Sequence, residues 1–170
     1  NQYDVEVQVT KDASLIVTEV IKVNFNRPQH GIVRWIPYQY EVGQLPRSDE
    51  RADMELTSNG IRKTIIEDIS VNDESYDVST QRDYFVIKIG KKNQTFTGEK
   101  TFTIHYTVLN AINFFEDKSE LYWNLIGDKV TSTIKKVNFK IILPDTSATT
   151  FSSFVSTGLL GSKENNTISN

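Results

Sequence analysis

The chain has 170 residues, 38% of them hydrophobic and 11% aromatic, a composition that builds a core and is unlike that of a disordered segment. Its 19 basic and 22 acidic residues leave a net charge of −3 and a sequence pI near 5.4, which argues against a nucleic-acid or anionic-membrane binder. With no cysteine at all, disulfides, cysteine nucleophiles and thiolate metal sites are excluded.

The length suits one domain. The basic doublets Lys91-Lys92 and Lys135-Lys136 read as solvated strand ends. No apolar run approaches the roughly 18 residues a membrane helix needs. The chain opens on Asn1 rather than Met, which reads as a fragment or processed form, with any signal peptide or anchor outside it.

The dominant period is two. Tyr3, Val5, Val7 and Val9 alternate with Asp4, Glu6, Gln8 and Thr10, the pattern of a strand with one wet face. Lys11-Asp12-Ala13-Ser14 reads as a turn. The strand after it puts Leu15, Val17, Ile21, Val23 and Phe25 on one face, predicting a hairpin. The polar stretch 41–63, with Pro46 and Gly60, predicts a long excursion holding one weak strand around 54–57.

Further alternation marks Phe85, Ile87 and Ile89; then Phe102, Ile104, Tyr106 and Val108; then Val137, Phe139, Ile141 and Leu143, which Pro144 terminates. Shorter candidates lie at 65–71, 120–125 and 150–155. In segment 111–126, Ala111, Phe114, Phe115, Tyr122, Leu125 and Ile126 fit a helical stripe, whereas Leu121, Trp123 and Leu125 fit a strand. A loop with at most a helical turn, then a strand, is the favoured reading. Together these elements predict an all-β fold: an antiparallel two-sheet β-sandwich, immunoglobulin-like in general architecture, with about eight or nine strands. The sandwich is expected to span 1–157. The Gly-, Ser- and Asn-rich residues 158–170 are expected to form a partly mobile tail leading towards a membrane region.

Two charged residues interrupt the apolar faces. Glu19 is in register with Leu15, Val17 and Ile21, and Arg34 with Ile32 and Ile36. A lone buried charge costs several kcal/mol, so each needs a partner, and the simplest arrangement is a structural ion pair between them. Arg34 presented to an anionic ligand is the functional alternative, suited to its fork of donors.

Other chemistry is thinly represented. His105 falls on the polar face of its strand, and His30 sits in a turn where an imidazole often bonds to backbone. No spacing brings either into a metal site. Asp73, Glu74 and Asp77, and likewise Glu116, Asp117 and Glu120, form acidic clusters without an EF-hand pattern, and they read as solvated turns. The expected metal and cofactor content is none. There is no nucleophile elbow, phosphate-cradling glycine loop or His-Glu-x-x-His helix. Trp35, Tyr38 and Tyr40, and further on Tyr122 and Trp123, gather aromatic side chains that either fill the core and its mouth or bind a partner.

Several stretches resemble the N-terminal domain of the YciQ-like predicted membrane proteins, a bacterial family of unknown function. They are Tyr3-Asp4-Val5, the run Ser14-Leu15-Ile16-Val17-Thr18-Glu19, and His30-Gly31-Ile32-Val33-Arg34-Trp35-Ile36-Pro37. Thr97-Gly98, the run from Glu120-Leu121-Tyr122-Trp123 through Gly127, and Leu143-Pro144 extend the likeness in the same order. The chain departs from the family at Val33, where an aromatic residue is usual, at Trp35, where an acidic one is, and near Val130, where a second tryptophan is. The resemblance implies a domain that follows a signal peptide and precedes transmembrane helices on the extracytoplasmic face.

The function expected from all this is non-catalytic binding or scaffolding, with an unknown protein or envelope polymer as partner and Arg34, Trp35, Tyr38, Tyr122 and Trp123 as candidate contact residues. Nucleic acid is not expected as a partner, and the sequence leaves the oligomeric state open. One alternative is an enzyme acting on envelope glycan with Glu19 or another carboxylate as acid or base. Another is a ligand or calcium sensor.

Overall fold

A computed structural model describes residues 1–41, 61–114, 118–130, 132–145 and 152–157, with only the backbone of 40 and 41. Strands β1 (Gln2–Val9) and β2 (Leu15–Gln29) form the predicted hairpin, in register from Val9 opposite Leu15 to Gln2 opposite Lys22. Its turn is built by Thr10. The Thr10 backbone N–H donates to the Ser14 carbonyl at 2.9 Å, its hydroxyl accepts from the Ser14 N–H at 3.1 Å, and Ala13 takes a φ of 64°.

β2 continues along β9 (Phe96–Leu109), and these long strands form the middle of a five-stranded sheet. β6 (Ile65–Val71) lies at one edge and β12 (Lys136–Ile142) at the other, giving the order β12-β1-β2-β9-β6. A second sheet contains β3 (Gly31–Pro37), β8 (Tyr84–Gly90) and β7 (Tyr76–Gln81), in that order. Two small antiparallel pairs complete the described strands: β4 (Gln39–Glu41) with β5 (Ile61–Lys63), and β10 (Ile112–Phe114) with β11 (Ser119–Leu121). The fold is all-β and consistent with a sandwich.

The core follows the alternation. Val7, Leu15, Val17, Ile21, Phe102, Ile104, Val108, Ile36 and Ile87 are all fully buried. The chain passes from the first sheet to the second at His30 and Gly31, and this corner depends on two facing glycines. A Cβ on Gly31 would sit 1.8 Å from the Ile89 carbonyl oxygen, and one on Gly90 1.9 Å from that of His30. The backbones approach too closely there for any side chain.

Several expectations need correction. β12 pairs with β1 in parallel, so the large sheet is not antiparallel throughout. The described strands number twelve, because short pairs add to the long alternating runs. Segment 111–126 yields the β10–β11 pair, and the strand expected over 120–125 stops at Leu121. Residues 152–157 are not a strand. The weak strand at 54–57, the tail 158–170, and Phe115, Glu116 and Asp117 lie outside the described residues, as does the side chain of Tyr40.

Candidate functional site

The alternation of β2 turns Glu19 inward between Val17 and Ile21, and that of β3 turns Arg34 inward between Ile32 and Ile36. The two side chains meet across the space between the sheets. Arg34 Nε donates to Glu19 Oε2 at 2.6 Å and Nη2 to Oε1 at 2.8 Å, a two-pronged contact. Neither reaches solvent, with Glu19 at 0% and Arg34 at 2% exposure.

The remaining donors of the guanidinium are also used. Nη1 donates to the carbonyls of Trp35 and Ile126, both at 2.6 Å, and Nη2 to that of Leu125 at 3.1 Å. Since a guanidinium carries five N–H groups, every one has an acceptor. Glu19 Oε1 also accepts a 2.6 Å hydrogen bond from the Tyr106 hydroxyl, contributed by β9. The carboxylate and its partners therefore tie β2, β3, β9 and the segment after β11 to one point.

This arrangement answers the desolvation problem. Burial acts to discharge Arg34, but the adjoining Glu19 carboxylate more than offsets it and holds the guanidinium above its ordinary range. Burial, reinforced by the same carboxylate, pushes the Tyr106 hydroxyl well up, so it stays a donor. Gly127 makes room for the cap. At its φ of 83°, a Cβ would lie 3.0 Å from the Trp35 carbonyl oxygen and 3.1 Å from Arg34 Nη1.

The aromatic candidates have more varied places. Trp35 packs edge-on against Tyr84, centroids 5.9 Å apart, and Lys129 Nζ stands 5.0 Å over the Tyr84 ring. The Tyr84 hydroxyl donates to Asp128 at 2.7 Å; burial and that carboxylate push it up to about 12. Tyr38 and Trp123 pack at the rim of the core, and Tyr122 is half-buried. Trp123 Nε1 is buried without a hydrogen-bond partner among the described residues.

The histidines and acidic turns stand apart from this junction. His30 Nδ1 is 2.9 Å from the Gln94 carbonyl oxygen, and His105 Nδ1 is 3.0 Å from the Thr18 hydroxyl. Glu74 is held by Lys100 at 2.6 Å, and Glu120 accepts from Asn113. Among the described residues, no three His, Asp or Glu side chains gather as a metal site would require.

Over residues 1–170 the chain matches the family described as Predicted membrane protein (DUF2207) N-terminal domain. The chain belongs to this family. That description does not include the YciQ-like name, and it assigns the domain no activity. No curated protein and no solved structure gives a match. Among the described residues, no helix is long and apolar enough to cross a membrane.

Sequence reasoning paired Glu19 with Arg34 but missed Tyr106, the carbonyls of Trp35, Leu125 and Ile126, and the two glycines of the corner. Tyr106 carried a signal, a hydroxyl on an otherwise apolar face with Phe102, Ile104 and Val108. Backbone acceptors leave no trace in side-chain pattern.

Proposed function

We propose that this chain is a non-catalytic, extracytoplasmic binding or scaffolding domain of its membrane protein. The observation that supports this reading is the condition of Glu19. Its carboxylate accepts three hydrogen bonds from Arg34 and Tyr106 and is 0% exposed, so it joins sheets and does not meet a substrate. A glycan-cleaving acid at this position would need access that the packing denies. The net charge of −3 favours a protein or an uncharged or cationic envelope polymer over nucleic acid. Half-buried Trp35, Tyr38, Tyr122 and Trp123 offer aromatic surface in two sequence-local pairs, and Tyr38 and Trp123 sit at the margins of the core.

Two measurements test the reading. An alkaline phosphatase fused after this domain in the full-length membrane protein should be active, and a cytoplasmic reporter at the same point silent. The purified chain should co-sediment with isolated cell-wall polymer or a cell-surface protein without releasing reducing sugar ends. Release of reducing ends that Glu19→Gln abolishes in a folded chain would replace this proposal with the enzymatic one.

A further inference from the structure

β12 is the outer strand of the five-stranded sheet, bonded to β1 on one side and to no described strand on the other. Its pairing places Val137, Phe139 and Ile141 beside Tyr3, Val5 and Val7, on the core-facing side. Yet Val137 is 41% exposed, Phe139 37%, Ile141 44% and Leu143 44%. An apolar row thus stays partly exposed along an edge that no described strand pairs.

Proteins ordinarily protect such edges with bulges, charges or prolines. β6, at the opposite edge, has a register break between Glu67 and Ser70, with Asp68 at a φ of 52°. β7 intersperses Asp77, Ser79 and Gln81 among its residues. β12 alternates Lys136, Asn138 and Lys140 with its apolar residues much as β7 does, but it lacks the break of β6: its register with β1 is unbroken from Lys136 to Ile142. Its polar side chains are drawn back toward β1, with Lys140 Nζ 3.5 Å from Glu6 and Asn138 donating to Asp4. The inner row of β12 itself carries no charge.

We infer that β12 pairs with β12 of a second copy of this chain, antiparallel and centred on Phe139, joining two five-stranded sheets into one. The strand is self-complementary in that register alone. Phe139 faces its twin, Val137 faces Ile141, Asn138 faces Lys140 and Lys136 faces Ile142, so inner rows meet and no lysine opposes a lysine. Centring on Ile141 instead would set Val137 against Asp145 and Asn138 against Pro144, which lacks an N–H. Centring on Val137 would set Phe139 against Lys135 and Ile141 against Thr133. The pairing also covers the exposed row without a further partner.

The absence of native cysteine makes single-cysteine probes unambiguous. At about 1 mM, the weak end of specific association, sedimentation of the 170-residue chain should show a species of twice its 19.4 kDa. Phe139→Lys should return it to monomer with its circular dichroism spectrum unchanged. On mild oxidation or with a short bis-maleimide, Phe139→Cys should cross-link to itself. Val137→Cys and Ile141→Cys should cross-link to each other when mixed, at least tenfold faster than either to itself, because like positions lie about 13 Å apart in this register. A chain that stays monomeric at that concentration overturns the inference. So does a dimer that survives Phe139→Lys, or a Val137→Cys chain that couples to itself as fast as to Ile141→Cys.

Discussion

Glu19 and Phe139 present the same sequence signal with opposite outcomes. Each lies on the core-facing row of its strand, yet the carboxylate is 0% exposed and the phenyl ring 37%. Alternation fixes the direction in which a side chain points. Whether anything covers it depends on the second layer, and the smaller sheet has three described strands against the five of the larger. Glu19 lies in the central strand of the five, where Arg34 comes down from β3. Phe139 lies on the outermost one. A buried charge is tolerable in the middle because its partners are exact in number, and an apolar residue at the edge stays partly exposed because the described strands cover it only in part.

The sharpest way to break this comparison is to remove one side of the central junction. Arg34→Ala should lower stability by about 3–5 kcal/mol in urea unfolding, since Glu19 is left charged and buried. Replacing both together, Glu19→Leu with Arg34→Met, should cost less than Arg34→Ala alone. A double variant that loses the sum of the single losses would mean that the pair is not coupled.

Next come the close backbone approaches. Gly31→Ala and Gly90→Ala should each cost about 3 kcal/mol or more, because the added methyl meets backbone and not a yielding side chain. Gly127→Ala should cost about 1–3 kcal/mol by displacing the cap from Arg34. Melting temperatures of the three variants rank the corner against the cap, and a harmless Gly90→Ala would remove the steric account of the sheet switch.

Tyr106→Phe deletes one donor to a charged group and should cost about 1.5–3 kcal/mol at neutral pH. The same residue shapes the alkaline limb. The folded state raises Tyr106 and Tyr84, the latter to about 12, so it holds protons the unfolded chain releases near pH 10. That contribution is complete below about pH 10 and is lost as the pH climbs towards the folded values. Unfolding followed from pH 8 to 11.5 should show stability falling above 10, and falling less steeply in Tyr106→Phe. The smallest expected effect belongs to the edge. Phe139→Lys should change the monomer's stability by no more than about 0.5 kcal/mol, the usual range for exposed positions. A larger loss would show that the β12 row is buried after all.

Much of the fold was legible residue by residue. The hairpin of β1 and β2, the long inward row Phe102 to Val108 and the inward turn of both Glu19 and Arg34 all follow from period two, which is a property of the extended backbone. The short pairs were harder to read. β10 and β11 have three residues each, too few for a period to declare itself, and their side chains also fit a helical stripe. Of the junction, the two ionic partners were legible because a charge on an apolar row demands a counterpart. Tyr106 and the capping carbonyls were not, since many donors and acceptors could have satisfied the same demand.

The sequence by itself determined an all-β, cysteine-free chain, the facing of its long strands, and the need for Glu19 and Arg34 to find partners. These are local consequences of alternation and of the cost of burying charge. Only the tertiary structure decided that β12 runs parallel to β1, that Leu125 and Ile126 supply the last acceptors for Arg34, and that Val137, Phe139 and Ile141 face inward yet stay 37–44% exposed. Each of these depends on which distant segments lie side by side, and so on packing between layers and on the chain's route between them.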